Sequence, residues 1–298
     1  MGTENKLFVV TNIDVKNVTW ARSYLDSASR AGIEIVDPLS YKPGSHIYIG
    51  DNIPPVNRFT GDKNYYFLAA SSLPPSDSPT ADDVEIELNN IQRTDATLLV
   101  SNAEKQKINR VYPEVSGKLV VNGFPVDIDR IMRHRSEKVP KTVCFLGQSR
   151  EIKNPDFEIE LVQELVRSGF ECFHSSPSTL TRRKDLEKVG CHTYENIRGR
   201  RYFKLVSSCQ YYISTSKYES LGVSGIEASL LGCVAITPRN TGQADWCPPA
   251  QTYENYDSKE VVDIVRSRPV PEINPKLDWY HPIQYFKRVR SLTSIKND

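Results

Sequence analysis

Short apolar runs recur along this chain at intervals that leave room for a helix between them: residues 7–11, 33–36, 96–100, 118–121, 142–146, 170–173, 211–215 and 234–237. Runs of this length without polar alternation suit strands buried on both faces, and a helix between successive strands is what a parallel crossover needs. The pattern predicts an α/β fold of βαβ units with parallel sheets. One crossover helix is punctuated at both ends. Residues 154–168 place Phe157, Leu161 and Leu165 on one face, with Pro155 at the start and Gly169 just past the end. Ser101 and Glu104 fit a capping box opening the helix after the 96–100 run.

At 298 residues the chain is long enough for two domains, each with its own core. Residues 130–141 (RIMRHRSEKVPK) are charged and poor in apolar side chains, and a new strand follows at once. The boundary is expected there: residues 1–138 form the first domain and 139–274 the second. Residues 275–298 are a terminal helix free to return to the first domain, with Tyr280, Ile283, Phe286 and Val289 roughly in register. Residues 42–80, rich in Pro, Ser, Asp and Asn, are expected to be long loops.

Charge excludes some partners. With 38 basic against 37 acidic side chains the net charge is +1, so no global field draws the protein to nucleic acid or anionic lipid, and any basic patch is local. The clusters at residues 182–184 and 198–201 are expected to be solvated helix faces, with a phosphate contact as the alternative. The six cysteines are scattered, without a C-x-x-C pair, and read as reduced core residues. The polar N-terminus carries no signal-peptide core, no run is long enough to span a bilayer, and Lys6 stands where a myristoylation signal needs Ser or Thr. A soluble, cytoplasmic protein is expected.

The chemistry concentrates in residues 213–236 (ISTSKYESLGVSGIEASLLGCVAI). A strand is followed by Glu219, a loop of Ser220, Leu221, Gly222 and Val223, and a helix beginning near Ser224 and ended by Gly232. A loop feeding a helix N-terminus presents free amides and the positive end of the helix dipole, which together make an anion site; Gly222 would let a diphosphate approach the backbone. Glu227 is expected in the first turn, ionised, as an acceptor for paired sugar hydroxyls, with Glu219 facing the same site. Ser224 and Glu227 also match a capping box, so these residues alone leave Glu227 between a backbone role and a ligand role.

Glu219 and Glu227 have seven residues between them, and the frame E-S-L-G-V-S-G-I-E-A-S-L-L-G-C-V-A-I resembles the E-x7-E signature of retaining glycosyltransferases of family 4. The match runs through Gly222, Glu227, Ala228, Gly232 and the closing strand. The segment 145–154 (FLGQSREIKN) is similar to the strand, glycine turn and Lys with which that family grips its donor diphosphate, here Gly147 and Lys153. Gln148 stands where the family has Arg, so Arg150 is at most a substitute, and a solvated loop is the alternative reading for both Arg150 and Lys153. Residues 97–106 and 118–127 resemble the segments that close the family's N-terminal domain, and the short chain resembles compact virus- or phage-encoded members.

The resemblance implies a GT-B fold, two Rossmann-like domains facing a cleft, with a nucleotide-diphosphate sugar in the second and a hydroxyl acceptor, a glycan or glycoconjugate, in the first. It implies transfer of a hexose with retention from a GDP-mannose or UDP-glucose type of donor. Glu219, Lys153 and Arg150 would be catalytic; Gly147, Lys153, Tyr194, Glu219, Ser220, Leu221, Gly222, Val223 and Glu227 would bind the donor. His46 and Asp51 are acceptor-side candidates, with a structural loop role as the alternative. No cofactor or metal is expected: Asp127 and Asp129 form a D-x-D that reads as structural, and His174, His192 and Tyr194 are explained by packing as well as by ligand. A homodimer stays open. The rival readings are a nucleic-acid-modifying glycosyltransferase, against which the balanced charge stands, and an inactive nucleotide-sugar-binding protein.

Overall fold

The computed structural model describes residues 6–11, 19–37, 43–49, 63–73, 80–148, 150–267 and 275–293. Its elements run β1 (Leu7–Val10), α1 (Thr19–Arg30), β2 (Glu34–Val36), β3 (Ser45–Ile49), β4 (Asn64–Leu68), α2 (Ala81–Arg93), β5 (Ala96–Leu99), α3 (Asn102–Val111), β6 (Leu119–Val121), α4 (Ile128–Met132), β7 (Val139–Leu146), α5 (Pro155–Arg167), β8 (Glu171–Ser176), α6 (Arg183–Lys188), β9 (Cys191–Glu195), α7 (Gly199–Ser208), β10 (Cys209–Ile213), α8 (Val223–Leu230), β11 (Val234–Pro238), β12 (Thr252–Tyr253), α9 (Ser258–Ser267) and α10 (Pro282–Thr293). They separate into two compact units, residues 1–127 with 278–298, and residues 128–277.

The first unit is built on a parallel sheet in the order β2-β1-β3-β4-β5-β6. β1 is buried along its whole length, as a strand covered on both faces must be. Ala21, Tyr24, Leu25 and Ala28 of α1 follow the i, i+3, i+4, i+7 spacing and are all buried. The expectation of long loops over 42–80 is corrected here, because β3 and β4 lie inside that span and are buried at every position. Their sequences, SHIYI and NYYFL, mix polar residues with strand-forming Tyr, Ile and Phe, and flanking Pro and Ser hide so short a signal.

α10 belongs to this unit. The Tyr24 and Tyr285 hydroxyls lie 3.0 Å apart, Phe286 meets Tyr24 edge-on, and Arg288 stacks on Trp279 at 3.6 Å while donating to the Asn122 side chain and carbonyl. The buried stripe is Tyr285, Phe286 and Val289; Ile283, expected on it, is 59% exposed and lies off that face.

The second unit carries a parallel sheet in the order β12-β11-β10-β7-β8-β9. Val143, Phe145, Ile213 and Ile236 of its strands pack with Phe157, Leu161, Val162 and Leu165 of α5 and with Val261, Val262 and Val265 of α9. β7 starts at Val139, ahead of the expected Thr142, and α4 buries Ile128 and Ile131. All six cysteines are buried and unpaired. Among the described residues no helix is long and apolar enough to cross a membrane.

Candidate functional site

In the second sheet β7 lies between β8, its successor, and β10, so the strand order reverses between β7 and β10. Loops leaving the C-terminal ends of strands at such a switch point diverge to opposite faces and open a crevice in which open α/β sheets take their ligands. The segments singled out in the sequence supply those loops: residues 147–148 and 150–154 follow β7, and residues 214–222 leave β10.

The structure brings their key side chains together. Lys153 Nζ forms an ion pair with the Glu219 carboxylate, which also accepts from Ser216 Oγ at 3.4 Å. The Lys153 and Glu219 side chains are 27% and 20% exposed, so the pair is accessible without being on open surface. Two further bonds join the loops: Thr215 Oγ1 donates to the Lys153 carbonyl (2.8 Å) and Lys217 N to the Ile152 carbonyl (2.8 Å).

The β10 loop is held from below by its carbonyls. Those of Ser214, Ser216, Glu219 and Leu221 accept from Tyr253 Oη (2.7 Å), Tyr256 Oη (2.9 Å), Gly242 N (2.8 Å) and Trp246 Nε1 (2.8 Å). Four anchored carbonyls fix the backbone of the loop that carries Glu219.

Gly222 ends the loop in the left-handed region, φ +75°, as the residue before α8. The expectation that its missing side chain makes room for a diphosphate is corrected: a Cβ there would lie 2.4 Å from Gln243 Nε2, so the space is filled by a buried glutamine. Glycine is needed for the turn and for that contact. The amides opening α8 have no partner within the helix, which keeps the anion-site argument on backbone groups of Val223 and Ser224.

Glu227 is the fifth residue of α8, past the first turn where it was expected, and no side chain caps the helix, whose N-cap is Gly222. The capping-box alternative therefore falls. Its carboxylate accepts from Tyr202 Oη at 2.9 Å, and burial pushes its pKa up to about 7 against that bond and the field of Arg130. The expected standing ionisation is corrected accordingly: near neutral pH this carboxyl titrates.

Gly147, φ +125°, donates to the Ser175 carbonyl (3.0 Å), and its own carbonyl accepts from His174 Nε2 (3.0 Å). Arg150 is exposed, its Nε on Gln148 Oε1 at 2.7 Å. Tyr194 lies on the outer strand β9, 40% exposed and stacked on Phe173. In the first unit His46 lies within β3, 3% exposed and stacked on Phe8, while Asp51 lies outside the described residues. Asp127 is ion-paired with Arg30 at 2.6 Å, and no cluster among the described residues could hold a metal. Arg182 and Arg183 are matched to Asp156, Asp185, Glu187 and Glu195.

Tyr202, Gln243 and the carbonyl anchors were not anticipated. Tyr202 adjoins the arginines of 198–201, and its hydroxyl, on α7, reaches Glu227 on α8 by a tertiary pairing that a one-dimensional pattern cannot register.

No protein-family model matches the chain, and no curated protein is similar to it in sequence. Solved structures are similar in fold. TarM superposes with a TM-score of 0.58 at 14% identity over 85% of this chain, which spans 52% of TarM's length. The lipopolysaccharide outer core galactosyltransferase WaaB gives 0.66 at 12% identity, covering 97% of this chain and 99% of its own. AviGT4, a glycosyltransferase involved in avilamycin A biosynthesis, gives 0.62 at 11% identity, covering 97% and 96%. With two parallel-sheet Rossmann-like units and these neighbours, the fold is GT-B.

Proposed function

We propose that this GT-B protein is a retaining glycosyltransferase that moves a hexose from a nucleotide-diphosphate sugar, of the GDP-mannose or UDP-glucose type, to a hydroxyl of a glycan or glycoconjugate. The observation that carries the reading is the meeting of Lys153 with Glu219 where the β7 and β10 loops leave the switch point of the second sheet. A cation and a carboxylate beside a helix N-terminus suit a ligand that is anionic at one end and rich in hydroxyls at the other.

In this reading Lys153 leaves Glu219 for the diphosphate, and the α8 amides complete its cradle. Glu219 then accepts from sugar hydroxyls and Glu227 from the ribose, as the family 4 resemblance implies. The bond from the anomeric carbon to the diphosphate oxygen breaks, and the charge left on that oxygen is stabilised by Lys153 and the amides. The acceptor oxygen attacks from the same face and passes its proton to the diphosphate, so configuration is retained without a covalent intermediate. These cationic groups do the work a divalent ion does elsewhere, and the reaction is proposed to need no metal. Arg150, within the same loop, is a further candidate for the diphosphate.

The test is a turnover assay with a panel of nucleotide sugars and glycan acceptors, reading nucleoside diphosphate release and the anomeric configuration of the product by NMR. Release coupled to an axial-to-axial or equatorial-to-equatorial product supports the proposal; inversion sinks the retaining mechanism. Tight donor binding without turnover across the panel would favour a nucleotide-sugar-binding protein.

A further inference from the structure

His174 sits on β8 with its side chain 3% exposed, and each of its ring nitrogens meets an oxygen. Nδ1 contacts the Glu158 carboxylate on α5, and Nε2 lies 3.0 Å from the Gly147 carbonyl at the end of β7. A carbonyl only accepts, so Nε2 must carry hydrogen. Nδ1 faces a carboxylate, and in such a pair the proton resides on the more basic imidazole. Either neutral tautomer would turn a lone pair toward one of the two oxygens. The contacts are therefore those of an imidazolium.

What this cation grips is the glycine turn. Gly147 is tied to β8 through both its polar groups, the amide to Ser175 and the carbonyl to His174, and it sits at φ +125°, a conformation that side-chain-bearing residues rarely adopt. A Cβ built on Gly147 would lie 4.0 Å from Lys153 Cε, so the position of this turn bears directly on Lys153.

Resting on the sugar-transfer reading above, we propose that His174 is a positioning residue whose charged ring joins Glu158 to the Gly147 carbonyl and holds the turn from which Lys153 reaches the donor diphosphate. Burial opposes the charge, but Glu158 and the Gly147 carbonyl outweigh it and raise the pKa of His174 above its ordinary 6.5. Of the neighbouring titratable groups, Cys172 on β8 and Cys191 on β9 are thiols kept neutral by burial, and Glu187 on α6 is taken by Arg183 and Thr193. Lys153 and Glu219 across the turn are paired with each other. Glu158 thus sets the charge state of His174, and the clamp should release as pH rises through the raised value.

Two variants separate positioning from packing. His174→Asn keeps an amide near the Nδ1 position for Glu158 and cannot reach Gly147; His174→Gln carries an amide near the Nε2 position and restores that bond. In calorimetry with UDP and GDP over about pH 6 to 9, wild-type affinity should fall on the alkaline side relative to His174→Gln, a ratio in which the titration of Glu227 near pH 7 cancels. Asn should weaken binding by about tenfold or more, and Gln should recover it to within about threefold with the alkaline limb gone. Glu158→Gln should move the wild-type limb to lower pH. Wild-type affinity and pH profile in His174→Asn, or no difference between Asn and Gln, would overturn the inference. Ring 15N shifts of His174 in the unmodified protein read its charge even if a variant fails to fold, and a neutral ring at about pH 7 would also overturn it. If the wild type binds no nucleoside diphosphate, the sugar-transfer reading falls and the positioning role with it, while the ring shifts still report whether the cationic clamp exists.

Discussion

Replacing Glu227 by Gln should stabilise the protein and damage its ligand binding at once. The carboxyl has an ordinary pKa of 4.5 in the unfolded chain and about 7 in the folded one, with burial as the principal cause. Because the folded value is raised, the stability linked to this group is fully present below about pH 4.5 and is lost as pH rises through 7. The interval corresponds to at most about 3 kcal/mol, and since the side chain keeps some contact with solvent a loss of about 1 to 3 kcal/mol is expected. Gln keeps an oxygen for the Tyr202 hydroxyl, 2.9 Å away, without a charge to bury. Urea unfolding of both proteins, followed by circular dichroism, should give equal stabilities at about pH 4.5 and an advantage for the variant that grows to about 1 to 3 kcal/mol by about pH 8. Taking the difference between the two proteins cancels the other shifted groups, among them Glu104, which burial also pushes up to about 7. In calorimetry the same variant should bind free nucleoside diphosphate and intact donor more weakly, by about 1.5 to 3 kcal/mol for a lost charge-assisted bond. Opposite signs mark a carboxylate kept for its ligand at a cost in stability. A variant that is less stable at every pH and binds both ligands normally would show that Glu227 serves packing and not a ligand.

Glu219→Gln should spare free nucleoside diphosphate and weaken only the sugar-bearing donor, with a further loss of turnover, as titration with the two ligands in succession will show. Gly222→Ala should lower stability by about 2 kcal/mol or more in urea unfolding, because it adds the cost of the left-handed conformation to a collision with Gln243. Turnover should be unchanged by EDTA; a strict requirement for magnesium or manganese would show that metal-independent leaving-group stabilisation is wrong.

How much of this was legible in the sequence depended on whether a feature was local. The strands at 7–10 and 234–238 and the helix at 155–167 announce themselves by apolar runs and end signals within their own residues. β3 and β4 do not: burial on both faces is given to SHIYI and NYYFL by neighbouring strands and helices, and their sequences advertise it weakly. The same division runs through the site. Lys153, Glu219 and Glu227 were singled out by motif as candidates, and the switch point explains why the two loops that carry Lys153 and Glu219, far apart in sequence, converge. The Tyr202 contact with Glu227, the His174 bridge between α5 and the Gly147 turn, and the glutamine filling the space beside Gly222 are tertiary pairings. Nothing in the spacing of one segment encodes its partner in another. Gly222 shows the risk of arguing from motif alone, since the residue type was read for ligand access and the geometry requires it for a turn and a contact.

Lys153, drawn to Glu219 at the switch point, is proposed as the cation that receives the donor diphosphate. The decisive measurement is calorimetric titration of wild type and Lys153→Ala with UDP, GDP and their sugar conjugates. The partly exposed pair contributes about 1 kcal/mol or less to folding, so Lys153→Ala should unfold at nearly the wild-type urea concentration. Wild type should bind at least one nucleoside diphosphate, and Lys153→Ala should bind it at least about tenfold more weakly. A folded Lys153→Ala protein with undiminished diphosphate affinity would show that Lys153 is not that cation.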